Sequence, residues 1–373
     1  MRIAVNTRLL LDGKLEGIGW FAYESLKRIT INHPEHDFIF FFDRPYHKDF
    51  VFAKNVTPVV LNPPARHPIL WYIFFEWSVA KALKKYKVDV FISPDGWLSL
   101  HTKVKTLTVI HDLNFEHFPQ FIKFIHRVYL NYFFHRFAQK ADRIATVSEY
   151  SKNDISKLYG ISKDRIDVVY NGSHDLYKPV IDEVKEKTKA EFTNDKPYFI
   201  FIGSLHPRKN LTNLFKAFDL FRKTNVTKTK LVIVGQKQWW NTEISETFNA
   251  MEFKNEIIFT GRLAPEILNE LLASSLALTY VSLFEGFGIP IVEAFYAETA
   301  VITSNITSMP EVAGDAALLV DPFSITSIAN AMHKIDTDNE LRLSLIEKGK
   351  LRRLNFSWDK TAEKLWNSIE KIL

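Results

Sequence analysis

With 373 residues, 46% of them hydrophobic and 24% charged, the chain exceeds the usual size of one core and is apolar enough to build two, which excludes a disordered chain. It contains no cysteine, so disulfides and thiolate metal sites are excluded and a reducing compartment suits it. The net charge of +5 is uneven: residues 1–170 hold 24 Lys/Arg against 17 Asp/Glu (+7), and the remainder 24 against 26 (−2).

The N-terminus, Met1 to Arg8, resembles a first strand rather than a secretory signal, so a cytoplasmic location is expected. The pattern predicts a strand over Ile3–Leu11, a loop over Gly13–Gly19, a helix over Trp20–Thr30 and a second strand over Phe38–Phe42, the opening of a βαβ fold. Gly17-Ile18-Gly19-Trp20-Phe21-Ala22 satisfies the dinucleotide fingerprint, in which glycine lets backbone approach a phosphate at a helix N-terminus. No ribose-binding acid follows about twenty residues later, so a flexible turn explains the glycines equally well. Pro68–Ala80 is apolar apart from Glu76 but shorter than the roughly 20 residues that span a bilayer. With the Lys-rich run Lys81–Lys87, this stretch reads either as a core helix with a solvated basic face or as a contact with an anionic membrane or substrate. No nucleic-acid partner is expected.

Strands are predicted at Val56–Leu61, Val88–Ser93, Thr106–Ile110, Arg143–Val147 and Ile166–Tyr170, with helical patterns between most of them, which indicates a parallel sheet. His111-Asp112 follows the strand ending at Ile110, at the carboxyl edge where ligands of such sheets gather. Ser148 and Ser151 are candidate helix N-caps. Asn171-Gly172 is a turn, and the polar stretch Ser173–Lys196 marks a boundary between domains at 1–175 and 176–358. The alternation then restarts: strand Tyr198–Ile202, loop Gly203 to Asn210, helix Leu211–Lys223, strand Lys230–Val234. In that loop, Arg208 can fork two phosphate oxygens while Lys209 adds a point charge, enough to neutralise a diphosphate.

Strand and turn signals follow at Ile257–Arg262, a helix at Pro265–Ser274 and a buried strand at Ser275–Val281. Next come Glu285-Gly286-Phe287-Gly288-Ile289-Pro290-Ile291-Val292-Glu293, two carboxylates bracketing a glycine turn and a helix start, with Pro290 at the first helical position and Glu293 in or near the first turn. Further strands are expected at Ala300–Ser304 and Ala317–Pro322. Asp336-Thr337-Asp338 imitates an acidic metal motif within a helical region and reads as surface. The last segment, Asp359–Leu373, has helical spacing and could pack back on the first domain.

Taken in order, these residues resemble the retaining GT-B glycosyltransferases of the family 4 type, a group that includes bacterial mannosyl- and glucosyltransferases. The resemblance rests on the E-x7-E pair Glu285/Glu293. Gly203-Ser204 with Arg208-Lys209-Asn210, Ile110-His111-Asp112-Leu113, Asn171-Gly172 and the segment Pro310 to Ala317 support it. It implies an α/β fold of two Rossmann-like domains whose parallel sheets face a central cleft, and retaining, metal-independent transfer of a hexosyl group, mannose first, from a GDP- or UDP-sugar to a glycan or lipid-linked acceptor in polysaccharide biosynthesis. It implies no cofactor beyond that donor and no metal site. Arg208 and Lys209 would hold the donor diphosphate, approached from the other domain by the loop of Gly17 and Gly19. Gly203 and Ser204 would lie beside it, and backbone of Gly286, Phe287, Gly288 and Ile289 would touch sugar and phosphate. Glu285 would lie at the transferred sugar and its leaving phosphate, Glu293 would bind the ribose, and His111 would position the sugar or stabilise developing positive charge through its neighbouring carbonyl, which makes His111 and Glu285 the catalytic candidates. The family's Ala-Cys-Gly is here Ala297-Glu298-Thr299, so the turn into the next strand lacks its usual glycine. The competing expectations are an NAD-dependent oxidoreductase, from Gly17 and Gly19, and a sugar- or nucleotide-binding protein without turnover. Peripheral contact with the inner face of a membrane, through the basic first domain, is a further expectation.

Overall fold

The computed structural model describes residues 1–373, the side chain of Gln238 excepted. The chain forms two compact units, Met1–Gly172 together with Ser357–Leu373, and Ser173–Phe356. Each is built on one parallel sheet. The first has the order β3-β2-β1-β4-β5-β6-β7, from β1 (Arg2–Asn6), β2 (Asp37–Phe42), β3 (Val56–Val60), β4 (Val90–Ser93), β5 (Lys105–Val109), β6 (Arg143–Thr146) and β7 (Ile166–Val168). The second has the order β10-β9-β8-β11-β12-β13, from β8 (Tyr198–Ile202), β9 (Lys230–Val234), β10 (Ile257–Gly261), β11 (Ala277–Tyr280), β12 (Ala300–Ser304) and β13 (Leu318–Val320). Strands covered on both faces read as unbroken apolar runs, which is why Phe38–Phe42 and Tyr198–Phe201 are buried throughout. In both sheets the order reverses beside the first strand, at β1/β4 and at β8/β11, and such reversals open a crevice at the strands' carboxyl ends.

Several boundaries differ from those expected. β1 ends at Asn6 rather than Leu11; the Asn6 side-chain amide donates to Ser93 Oγ (3.0 Å) and Asp95 Oδ1 (2.8 Å). The next backbone amides close a turn, Leu10 N–H onto Thr7 O at 3.0 Å. The following helix spans Gly17–Asn32, so Gly17 and Gly19 belong to its first turn and not to a loop. Pro68–Lys85 is helical throughout but passes through a π-helical turn at Phe74–Val79. That looser winding buries Phe74, Phe75 and Glu76 in succession, and Glu76 is satisfied by the backbone N–H of Leu100 (2.8 Å) and the His101 ring (2.6 Å). Ser148 is the N-cap, accepting from Ser151 N–H at 3.0 Å.

In the second unit, the left-handed residue of the turn after the helix Ile289–Tyr296 is Glu298 (φ 57°), not the Thr299 that stands where the family has glycine. Ion pairs to Lys350 (3.1 Å) and Arg353 (3.6 Å) offset the cost of that conformation, and buried Thr299 donates to Leu272 O at 2.9 Å. Asp336 accepts from Thr229 (2.6 Å) and Asp338 caps the helix Asn339–Arg352 through Leu341 N–H (2.8 Å), so both have structural partners.

The C-terminal helix Trp358–Glu370 joins the first unit, burying Trp358, Ala362, Leu365, Trp366 and Ile369. It lies along the helix Gly17–Asn32, where Trp366 stacks on His33 at 3.6 Å and Asp359 pairs with Arg28 at 2.5 Å. The Thr361 hydroxyl donates to Tyr170 O at 2.6 Å. Gly172 makes this closure possible: a β-carbon there would collide with the backbone nitrogen of Trp358 and come within 2.8 Å of the Ser357 carbonyl carbon. Gly172→Ala should therefore lower stability by about 1–3 kcal/mol, seen as a depressed Tm. Gly17→Ala, with nothing within 4 Å of the added carbon, should leave Tm unchanged. Equal melting of the two variants would refute this packing.

Candidate functional site

The loop after β8 and the loop after β11 flank the reversal in the second sheet, and their residues form one buried charged cluster. The first loop begins at Gly203 (φ 153°), a backbone state open chiefly to glycine, whose N–H donates to Val234 O at 3.0 Å. Gly203 in turn lies so close to Gly235 that a side chain at 235 would strike the Gly203 carbonyl oxygen. Ser204 is exposed just beyond. A short turn, Pro207–Lys209, presents the two cations, and left-handed Asn210 (φ 61°) starts the helix Leu211–Thr224. The Asn210 amide fixes this corner by donating to Val281 O (3.0 Å) and Pro322 O (2.8 Å).

From this corner Lys209 Nζ reaches Glu285 Oε1 at 2.6 Å and the Tyr280 hydroxyl at 2.7 Å, while Arg208 reaches Glu285 Oε2 at 3.0 Å. The Arg208 guanidinium also donates to Phe284 O, and Leu283 N–H donates to Arg208 O at 2.9 Å, so the two loops are tied by backbone as well as charge. Burial alone would push the Glu285 carboxyl up, but Lys209 and Arg208 outweigh it and hold its pKa at about 2. Glu285 is thus ionised at neutral pH and the three residues carry a net charge of +1. Burial, reinforced by Arg208 and Lys209, lowers His206 to about 4. Neutral His206 can then accept the Arg208 N–H at Nδ1 (3.1 Å), which a charged ring could not do there.

Ser308 holds the glycine turn from below, its hydroxyl lying 2.8 Å from Glu285 O and 3.0 Å from Phe287 O. Gly286 is buried, and the Phe287 ring packs edge-on against Phe356 at 5.6 Å. Gly288 (φ 100°) is the left-handed residue before the helix Ile289–Tyr296. That start corrects one expectation, since Pro290 is the second helical residue; Glu293, the fifth, lies directly past the first turn. Glu293 is half-buried beside the Tyr177 hydroxyl, which is hydrogen-bonded to it. Burial raises Glu293 to about 7 despite that bond, and raises the Tyr177 phenol as well.

Residues 203–209 and 285–293 are therefore brought together, whereas His111, Gly17 and Gly19 belong to the first unit. His111 stands two residues beyond the end of β5. Its Nε2 lies 2.8 Å from Pro94 O and its ring packs edge-on against Phe21 at 4.8 Å. Burial lowers its pKa, so the ring is neutral, with Nε2–H donating to Pro94 and Nδ1 the acceptor nitrogen. The His111 carbonyl accepts from Ser151 Oγ at 3.1 Å. Gly17 is exposed at its helix start, and Gly19 is buried where a β-carbon would meet Leu9 O at 3.0 Å. Sequence reasoning missed Tyr280, Tyr177, His206 and Ser308. Tyr280 reads as an ordinary core strand residue, and the others sit in stretches with no spacing that links them to the glutamates. Among the described residues, no group of three or more His, Asp or Glu is arranged to hold a metal ion, and no helix is long and apolar enough to cross a membrane.

Residues 17–174 match the model of Glycosyltransferase Family 4, and residues 182–352 that of Glycosyl transferases group 1. The chain is 25% identical over 372 residues to O-antigen chain mannosyltransferase B of Escherichia coli, covering 96% of this chain and 97% of that protein. It is 27% identical over 286 residues to the O-antigen chain mannosyltransferase RfbU of Salmonella typhimurium, covering 77% and 76%. The crystal structure of Anabaena HepE in complex with UDP-glucose shares the fold with a TM-score of 0.75 over the whole of both chains at 17% identity. Two family models that between them take in most of the chain, on a pair of Rossmann-like sheets, make it a glycosyltransferase of the family 4 type with the GT-B fold.

Proposed function

We propose that the protein transfers a mannosyl group from a nucleoside-diphosphate sugar to a glycan or lipid-linked acceptor in polysaccharide biosynthesis, with retention at the anomeric carbon and without a metal ion. The observation that carries this reading is the buried Arg208–Lys209–Glu285 cluster at the reversal of the second sheet. The O-antigen mannosyltransferases it resembles support mannose and a polysaccharide product, and make GDP-mannose the first donor to test and UDP-sugars the second.

Breaking the bond from the sugar to a diphosphate builds positive charge at the anomeric carbon and negative charge on the departing phosphate. Arg208 and Lys209 answer the second demand as donors fixed before the reaction begins, and so supply the charge a metal would otherwise bring. Glu285, on the same loop as the glycine turn, holds both cations in register and sits at the sugar end of the diphosphate. In a front-face reaction the carbon–oxygen bond to the diphosphate breaks, the acceptor oxygen bonds to that carbon from the same side, and its proton passes to the departing phosphate oxygen. The two glutamates are accordingly not the acid and base of a glycoside hydrolase. Neutral His111 would offer Nδ1 to a sugar hydroxyl, and Glu293 would accept from the nucleotide ribose. The reaction belongs on the cytoplasmic side of a membrane, where sugar nucleotides and lipid-linked acceptors meet.

A screen of sugar nucleotides for binding and for donor hydrolysis, followed by the anomeric configuration of the product, tests the assignment; binding of NAD without any sugar nucleotide would reject it. Lys209→Ala should weaken nucleoside-diphosphate binding roughly 10- to 100-fold by calorimetry. Unchanged affinity removes Lys209 from the diphosphate site. Glu285→Gln, which keeps the volume and leaves one hydrogen-bonding oxygen, should lower kcat by at least about 10²-fold and, by leaving two cations without their carboxylate, also lower Tm. Full activity would exclude a reaction-centre role for the carboxylate.

Glu293 makes donor binding depend on pH. Ribose hydroxyls donate to the ionised carboxylate, whose pKa without ligand is about 7, so binding must expel a proton below that value. Affinity should fall by up to about tenfold per pH unit as pH drops below 7 and level off above it. Glu293→Gln should flatten this profile, and a wild-type profile flat from pH 5 to about 8 would contradict the role.

A further inference from the structure

In the first unit, the reversal between β1 and β4 carries a side-chain cluster that the mechanism above does not use. Arg8 stands two residues past the end of β1, and its side chain is only 11% exposed. Its Nε donates to Asp95 Oδ2 at 2.6 Å, and its backbone N–H donates to Asn6 Oδ1 at 3.3 Å. The guanidinium lies over the Trp97 ring at 4.8 Å and over the Phe75 ring at 5.8 Å. One carboxylate and two rings thus fix the cation at the carboxyl edge of the sheet, where ligands of such folds bind.

Of the Arg8 guanidinium, only Nε has a hydrogen-bond partner among the described residues. The two terminal nitrogens, which together form the fork that matches a planar oxyanion, have none there. A cation so far removed from water with most of its donors unpaired is costly, and a ligand that pairs them offsets the cost. Asp95 does not cancel the charge on that side. Its other oxygen, Oδ1, accepts from Asn6 Nδ2 (2.8 Å), Ser93 Oγ (3.1 Å) and Trp97 N–H (3.4 Å), so the carboxylate is shared among buried donors of the protein. Tyr129, 7% exposed, stacks on the same Trp97 ring at 5.3 Å, and its hydroxyl also has no hydrogen-bond partner among the described residues. Burial pushes the Tyr129 phenol up, so this hydroxyl keeps its proton and remains a donor beside the cation.

We infer that Arg8 is a specificity-determining residue whose terminal nitrogens take, as a fork, an oxyanion carried by the acceptor, a phosphate or a carboxylate. The inference rests on the transferase reading only in calling that ligand the acceptor. The donor's diphosphate has cations of its own in the second unit, Arg208 and Lys209, which leaves Arg8 for the other substrate. A neutral saccharide fits less well, because hydroxyl groups would pair the donors and leave the charge uncompensated.

Ligand-observed NMR titration of the full chain, its diphosphate site first saturated with GDP, tests the assignment. Mannose 1-phosphate and methyl glucuronide each carry one of the two oxyanions, and methyl mannoside carries neither. The wild type should bind at least one of the anionic sugars roughly tenfold more tightly than methyl mannoside. Preference for mannose 1-phosphate assigns a phosphate-bearing acceptor, and preference for methyl glucuronide an acidic saccharide. Arg8→Lys keeps the charge beside Asp95 but not the fork, and should lose about fivefold of that preference. Arg8→Gln combined with Asp95→Asn removes both charges together, avoiding a lone buried carboxylate, and should abolish it. Equal affinity of the wild type for all three sugars, or a preference that survives in the double variant, would overturn the inference. Should the double variant fail to fold, an undiminished preference in Arg8→Lys overturns it equally. Failure of the wild type to bind GDP or UDP would sink the transferase reading instead, and the comparison of Arg8 variants would still decide the anion site.

Discussion

A single carboxylate organises the second unit. Glu285 arrives on the loop after β11, and the two cations it binds arrive on the loop after β8, more than seventy residues earlier in the chain. Taking any of the three charges out of water alone would cost several kcal/mol. Together, with the Tyr280 hydroxyl and the Phe284 carbonyl completing their hydrogen bonds, they form a satisfied network with one positive charge to spare. The surrounding backbone serves that closure: Gly203 and Gly235 let the strand ends approach, Asn210 turns the chain from the cations into a helix, and Ser308 holds the glycine turn. The cations are therefore oriented before any ligand arrives, and preorganisation of this kind is how an anionic transition state is stabilised without reorganisation at the moment of reaction.

The two glutamates of the motif have opposite electrostatics although both are removed from water. Glu285 is held near 2 because two cations outweigh its burial, whereas burial raises Glu293 to about 7 and the Tyr177 phenol offsets it only in part. One is a permanent anion that ties two loops together. The other changes charge in the physiological range and is suited to accept hydroxyl donors, which would return it to the ionised form. His111 and His206, both kept neutral by burial, act as hydrogen-bonding groups and not as charges.

Much of this was legible from residue order. Alternating apolar runs gave the parallel sheets, and the strand-loop-helix context of Arg208-Lys209 and of Glu285 to Glu293 marked the loops that meet. What could not be read were features set by contacts distant in sequence. β1 stops at Asn6, whose side chain is taken by Ser93 and Asp95, and nothing near Asn6 announces them. Glu298 occupies a left-handed turn because Lys350 and Arg353 wait some fifty residues away, so the absent glycine looked more serious than it is. The π-helical turn at Phe74–Val79 was invisible for the same reason: burial of Glu76 is rewarded by the backbone of Leu100 and His101. Tyr177 and Tyr280 carry no spacing signal, and only the fold brings them to the glutamates.

The central claim is that the cation pair held by Glu285 recognises a diphosphate. Titrating the unmodified protein with a nucleoside, its monophosphate and its diphosphate isolates that recognition most directly. The account predicts that affinity rises steeply with the second phosphate and that the rise weakens with salt. Equal affinity for the nucleoside and the diphosphate would contradict it.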